Sequence, residues 1–159
     1  MLRLHARSLS DTRAIAAAIA GVSRAGDLVV LAGEMGAGKT AFAQGFGEAL
    51  GVVEPITSPT FTLVHSYEAG RVSLHHADIY RLATHHEVAD LALHELLEYG
   101  GIVLVEWGDV VSSSFGEHLL VRLEHVPEDE HARRVSVTPS GRSWAARWER
   151  LEAALERFT

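Results

Sequence analysis

The chain's one lysine stands in the string Gly33-Glu34-Met35-Gly36-Ala37-Gly38-Lys39-Thr40. That string meets the phosphate-binding pattern G-x-x-x-x-G-K-[ST] at every fixed position. The other thirteen basic residues are all Arg. A guanidinium is a planar fork, whereas an ammonium is a compact point charge on a thin stem. Lysine therefore occurs at the one place where a slim cation must reach between two phosphates. Glycines let such a loop turn and come close to an anion. The N–H groups of the loop, and of the helix it opens, then face the phosphates. Lys39 would bridge the β- and γ-phosphates, and the Thr40 hydroxyl would ligate Mg²⁺. The candidate nucleotide contacts are Gly33, Glu34, Met35, Gly36, Ala37, Gly38, Lys39, Thr40 and Ala41.

Two carboxylates could serve the same site. Val103-Leu104-Val105-Glu106 occupies the place of the second nucleotide motif, an apolar strand ending in an acid. Asp is usual there. The longer Glu106 could hold the metal through water, or orient or deprotonate the attacking water. Its alternative is a strand-end Glu facing solvent. Asp78 ends another extended run and could reach the metal or its water shell, the alternative being a cap on local backbone. Thr60 and Ser58 lie in Thr57-Ser58-Pro59-Thr60-Phe61, a loop that could sense a γ-phosphate as switch loops do. A simple Ser-Pro turn reads almost as well. His86, Asp90 and His94 fall at i, i+4 and i+8, a spacing zinc ligands use, but nothing else completes that site. Trp144 and Trp148 at helical spacing read as packing rather than as a stacking platform.

The elements that must position these residues follow from periodicity. Leu2 to His5 suits a short edge strand. Ser10 is placed to cap a helix carrying Ile15, Ile19 and Val22, ending near Gly26-Asp27. Leu28-Val29-Val30-Leu31-Ala32 is an apolar run that suits a strand buried on both faces. The phosphate loop follows it, then a helix from Lys39 to about Leu50, stopped by Gly51. Phe61 to Tyr67 and Arg71 to Asp78 read as a hairpin around Glu68-Ala69-Gly70. In the second strand Val72, Leu74, His76 and Asp78 share a face. Thr84-His85-His86-Glu87 has capping-box spacing for a helix to about Tyr99. Ile102 to Val105 is a second buried strand. Alternating segments follow around Leu119-Val121-Leu123 and Val135-Val137, and Ser143 is placed to cap a last helix. Strand, loop, helix and a further strand ending in an acid describe an α/β, three-layer P-loop NTPase-like domain. Its central sheet is expected to be mostly parallel, with an inserted β-hairpin, and one domain spans residues 1–159.

Composition narrows the class. The chain is 47% hydrophobic and 22% charged, as in ordinary globular proteins. It has no cysteine, so neither a disulfide framework nor a thiolate metal site exists. No N-terminal apolar segment follows Met1, and a cytoplasmic location is expected. The formal net charge of -7 argues against independent tight binding to a nucleic acid backbone.

Taken together, four stretches are similar to one family. They are the phosphate loop, Ser58-Pro59-Thr60-Phe61-Thr62-Leu63-Val64, His76-Ala77-Asp78-Ile79-Tyr80-Arg81-Leu82 and Val105-Glu106-Trp107. In this order they resemble the bacterial TsaE (YjeE) ATPases of tRNA threonylcarbamoyladenosine synthesis, over about residues 26 to 108. The resemblance implies ATP and Mg²⁺ as ligands and weak hydrolysis by the chain alone. It implies action with two partners, the threonylcarbamoyl-transferring subunit TsaD and its companion TsaB, with tRNA met through that complex. By motif match Lys39 and Thr40 contact phosphates and metal, Asp78 and Glu106 support hydrolysis, and Thr60 belongs to a switch-like loop. Ala77 departs from the pattern, since the family often has a bulky aromatic residue there.

Rival readings exist. A small-molecule kinase of the P-loop class would need an acceptor pocket and a lid arginine, for which Arg133-Arg134 is the candidate, on a segment that reads as a strand. A guanine-specific GTPase is disfavoured, because the Asn-Lys-x-Asp pattern needs a second lysine. A nucleotide-binding adaptor that seldom turns over differs from the ATPase mainly in rate.

Overall fold

The computed structural model describes residues 1–57, 64–68, 70, 72–78, 94–107 and 116–159. Its frame is a seven-stranded sheet in the order β1-β7-β6-β2-β5-β4-β3. The strands are β1 (Leu2–Ala6), β2 (Leu28–Ala32), β3 (Val64–Tyr67), β4 (Leu74–Asp78), β5 (Ile102–Trp107), β6 (His118–Val126) and β7 (Asp129–Ser140). The four middle strands, β6, β2, β5 and β4, run parallel. The pairs toward the edges, β1 with β7, β6 with β7 and β3 with β4, are antiparallel. The expected α/β fold with a parallel core and an inserted hairpin is thus present, the hairpin being β3–β4.

Side-chain alternation divides the core. Val29 and Leu31 of β2, Ile102 and Leu104 of β5, and Leu74 of β4 point to the face covered by helices α1 (Leu9–Val22) and α2 (Lys39–Leu50). Leu28, Val30, Ala77, Val103 and Val105 point to the other face, where Leu96 and Leu97 of the helical backbone over 94–98 pack. Ala77 is 1% exposed and fully part of this smaller cluster. On the larger face Phe42 and Phe46 of α2 stack at 6.2 Å and are fully buried. Each contributes about 1.5–3 kcal/mol through apolar burial.

Four local expectations need correction. Helix α1 is capped by Ser8, not Ser10. The Ser8 side chain accepts from the Asp11 N–H, and the Asp11 carboxylate accepts from the Arg7 N–H. Both serines suit a cap, and the acid three residues after Ser8 decides between them. The helix also stops at Val22, earlier than expected, because Ser23 folds back on the Ile19 carbonyl. The second hairpin strand is described as Leu74–Asp78, a later start than Arg71. Finally, the last helix is broken into Arg142–Ala145 and Trp148–Leu155. Ser143 lies inside the first piece, whose Arg142 N–H is met by the Glu117 carboxylate. The break falls where Arg147 turns its Nε back onto the Ser143 carbonyl. Trp144 is buried and Trp148 packs against the core, as their spacing suggested.

The first hairpin residues at 61–63, the expected turn's Ala69, and most of the helix expected from Thr84 lie outside the described residues. So do His86 and Asp90, and among the described residues no group of three or more His, Asp or Glu side chains is placed to hold a metal. No described helix is long and apolar enough to cross a membrane.

Candidate functional site

The parallel order puts the phosphate loop in the middle of the sheet's C-terminal edge. Open α/β sheets bind ligands at this edge, where strand order reverses. The loop leaves β2 after Ala32, and β5 and β6 flank that strand on either side. Gly33 is buried against β6, and a Cβ there would lie 2.6 Å from the Leu123 carbonyl oxygen. Only glycine lets the loop start this close to its neighbour. Gly38, with φ of 106°, turns the chain into α2 and is the helix N-cap without a side-chain capping bond. The helix therefore keeps its first N–H groups and the positive end of its dipole directed at the loop's mouth.

Lys39 donates from Nζ to the Gly33 carbonyl at 2.8 Å, so its ammonium folds over the loop. Thr40 is half-buried beside it, and Ala37 and Ala41 are buried. Glu34, Met35 and Gly36 form the exposed rim, with Met35 96% exposed. A cleft of about 430 Å³ opens between Gly33 and Glu34 on one side and Arg122 to His125 on the other.

The two carboxylates meet this edge together. Asp78 and Glu106 are register partners on β4 and β5, and Leu31 of β2 is the partner of Glu106 on its other side. Adjacent strands lie about 4.8 Å apart, so the two acids are neighbours in space. Alternation places both on the face that α2 covers, the face that carries Thr40. Glu106 is 6% exposed, which removes the reading of a strand end facing solvent. Thr60 and Ser58 lie outside the described residues.

One partner of Glu106 was not singled out by spacing. His76 is fully buried on β4, and its Nε2 stands 3.3 Å from Glu106 Oε1. Neither ring nitrogen of His76, nor Glu106 Oε1, meets hydrogen-bond geometry among the described residues. Buried polar atoms are normally satisfied, and such exceptions gather at functional sites. The pair sits two residues from Asp78, at the end of the sheet that faces the phosphate loop. The sequence signals for His76 were the face it shares with Asp78 and its place at the head of the run His76 to Leu82.

Two arginines were also missed or misread. Arg133 was the candidate lid residue of a kinase. It is instead bound to the back of the phosphate loop, with Nε on the Ala37 carbonyl at 2.9 Å and Nη2 on the Gly36 carbonyl at 3.2 Å. Arg147 grips Asp27, the residue before β2, through two bonds of 2.7 and 2.8 Å. No local pattern marks either contact.

The residues fit a magnesium nucleotide on three counts. The loop has a left-handed glycine at the helix start, α2 offers uncapped N–H groups, and a buried carboxylate oxygen, unsatisfied among the described residues, stands beside a second acid. Magnesium takes one or two protein ligands and otherwise uses phosphate oxygens and water, which Thr40 and one of the two acids would suit.

Comparison with known proteins gives the family. The family model described as "Threonylcarbamoyl adenosine biosynthesis protein TsaE" matches residues 6–135. The tRNA threonylcarbamoyladenosine biosynthesis protein TsaE of Bacillus subtilis (strain 168) is 36% identical over 142 residues, covering 89% of this chain and 87% of the relative. The protein of the same name from Streptomyces coelicolor is 41% identical over 133 residues, covering 80% and 89%. The crystal structure of Bacillus subtilis YdiB superposes with a TM-score of 0.71 at 31% identity, covering 98% of this chain and 94% of that one. By the extent of these matches, the chain belongs to the TsaE family.

Proposed function

We propose that this chain binds ATP with Mg²⁺, hydrolyses it, and thereby serves the formation of N6-threonylcarbamoyladenosine in tRNA. The observation that carries the reading is the convergence of Lys39, Thr40, Asp78 and Glu106 on one edge and one face of the sheet. The names of its relatives supply the biological setting.

Each residue has a role that follows from its position. The loop N–H groups and the N-terminus of α2 hold the phosphates and orient the γ-phosphoryl group. Lys39 exchanges its bond to the Gly33 carbonyl for phosphate oxygens, placing positive charge where negative charge develops. Thr40 and one acid, Asp78 or Glu106, would hold the metal or its water. Magnesium, when bound, neutralises charge on the transferring group. Glu106 accepts a proton from the attacking water, or orients it, and His76 stands against the carboxylate from the buried side. Thr60 is assigned to sensing the γ-phosphate by its motif alone.

The partners are the threonylcarbamoyl-transferring subunit TsaD and its companion TsaB, through which this acidic chain meets tRNA. Hydrolysis resets or releases the assembly rather than entering the bond-forming step. The location is the cytoplasm, where tRNA is modified. A small-molecule kinase is the weaker alternative, since Arg133 is occupied by the loop backbone.

The test is tRNA modification in vitro with purified partners, with and without this chain. Modification should require it, and Lys39→Ala should abolish both ATP use and modification while the chain still folds. Undiminished modification without the chain would refute the assignment.

A further inference from the structure

We propose that Arg133 is a positioning residue for the phosphate loop, and that the β6–β7 hairpin sets nucleotide affinity through it. The inference rests on the reading of residues 33–40 as the phosphate site.

The hairpin is longer than the sheet behind it. Residues Val29 to Ala32 of β2 pair with Leu119 to Arg122 of β6, so the rest of β6 runs on beside the loop. The hairpin touches the loop at two separated points. At the loop's start Gly33 packs against the Leu123 backbone. At its centre the Arg133 guanidinium crosses from β7 to the Gly36 and Ala37 carbonyls. Its Nη1 donates to the Glu130 and Ala132 carbonyls, both at 2.7 Å. One side chain thus ties the tip of the hairpin to the centre of the loop across 96 residues of sequence.

The chemistry of this tie favours anion binding. In a phosphate loop the peptide N–H groups turn toward the anion, which leaves carbonyls pointing outward. Outward carbonyls without partners would favour flipped peptides, and a flipped peptide presents oxygen to the phosphate. Arg133 holds two of these carbonyls with a planar fork that cannot lose its charge. A cation on the carbonyl side also polarises the peptides, strengthening their N–H groups as donors on the opposite side. Lysine cannot reproduce this, since a single ammonium does not span two successive carbonyls in a fixed plane. Arg134, the next residue, is exposed and pairs through its backbone with His5 on β1. It carries the same charge without the contact.

The experiment is titration of a fluorescent ATP analogue into the full chain and into Arg133→Ala, Arg133→Lys and Arg134→Ala, with thermal melts and steady-state hydrolysis for each. Arg133→Ala should weaken nucleotide binding about tenfold or more, the scale of a lost charge-assisted hydrogen bond. Its KM for ATP should rise in step while kcat stays within about twofold, because the loop binds ground and transition states alike. Arg133→Lys should weaken binding as well, and it carries the test should the alanine variant fold poorly. Arg134→Ala should bind as the unaltered chain does. Unchanged affinity in both Arg133 variants overturns the inference, and so does an equal loss in Arg134→Ala. Failure of the unaltered chain to bind ATP would instead overturn the functional reading, and this inference with it.

Discussion

Two buried pairs of titratable side chains in this molecule are built in opposite ways. Arg147 and Asp27 lie 7% and 5% exposed and satisfy each other. All five N–H donors of Arg147 are used: Nε on the Ser143 carbonyl, Nη1 on Asp27 and the Val22 carbonyl, Nη2 on Asp27 and the Ser143 hydroxyl. The guanidinium also lies 4.0 Å over the Trp144 ring. This pair fastens the C-terminal helices to the turn that feeds β2. His76 and Glu106 are equally buried, yet both ring nitrogens and one carboxylate oxygen lack hydrogen-bond partners among the described residues. Burial without satisfaction costs stability, and a fold tolerates that cost where a group must stay available for other work. The first pair is structural. The second stands at the edge where nucleotide chemistry is proposed.

This contrast can be broken experimentally. The largest expected effect is Glu106→Gln, which should lower ATP hydrolysis about 10²–10⁴-fold, the usual worth of a positioned general base. Nucleotide affinity and the unfolding midpoint should stay near those of the unaltered chain. A single-turnover assay beside equilibrium binding separates the two, and full hydrolysis by the variant would remove Glu106 from the chemistry. Next is Arg147→Ala. It strands a buried carboxylate and should cost about 3–5 kcal/mol in urea denaturation. ATP binding per folded molecule should be unchanged, and a selective loss of binding would erase the distinction between the pairs. The smallest effect is expected from His76→Phe, which substitutes an apolar ring of similar shape. Removing nitrogens that are unsatisfied among the described residues should leave stability within about 1 kcal/mol of the original or raise it. Hydrolysis should fall about tenfold as Glu106 loses its neighbour. A stability loss as large as that of Arg147→Ala would show that His76 is structural too.

The sharpest misreadings came from long-range partners. Ser143 suits a helix cap by type and place, but its hydroxyl instead accepts from Arg147 and Arg24. Arg133, with Arg134, entered only as the lid candidate of the rival kinase reading, on a segment that reads as a strand. The structure ties it to a loop 96 residues away. Near-neighbour patterns fared better. The apolar runs that became β2 and β5, the glycines of the phosphate loop and the stop at Gly51 all depend on residues a few positions apart.

By itself the sequence determined the place of the glycine-rich loop between strand and helix. It also identified the two carboxylates at strand ends, because spacing within one element decides which face a side chain takes. Only the tertiary structure decided that Asp78 and Glu106 stand side by side and that His76 backs the glutamate. It likewise decided which arginine holds the loop and which holds the fold. Those pairings depend on strand register and on how far a hairpin overruns its neighbour, quantities that no stretch of a few residues contains.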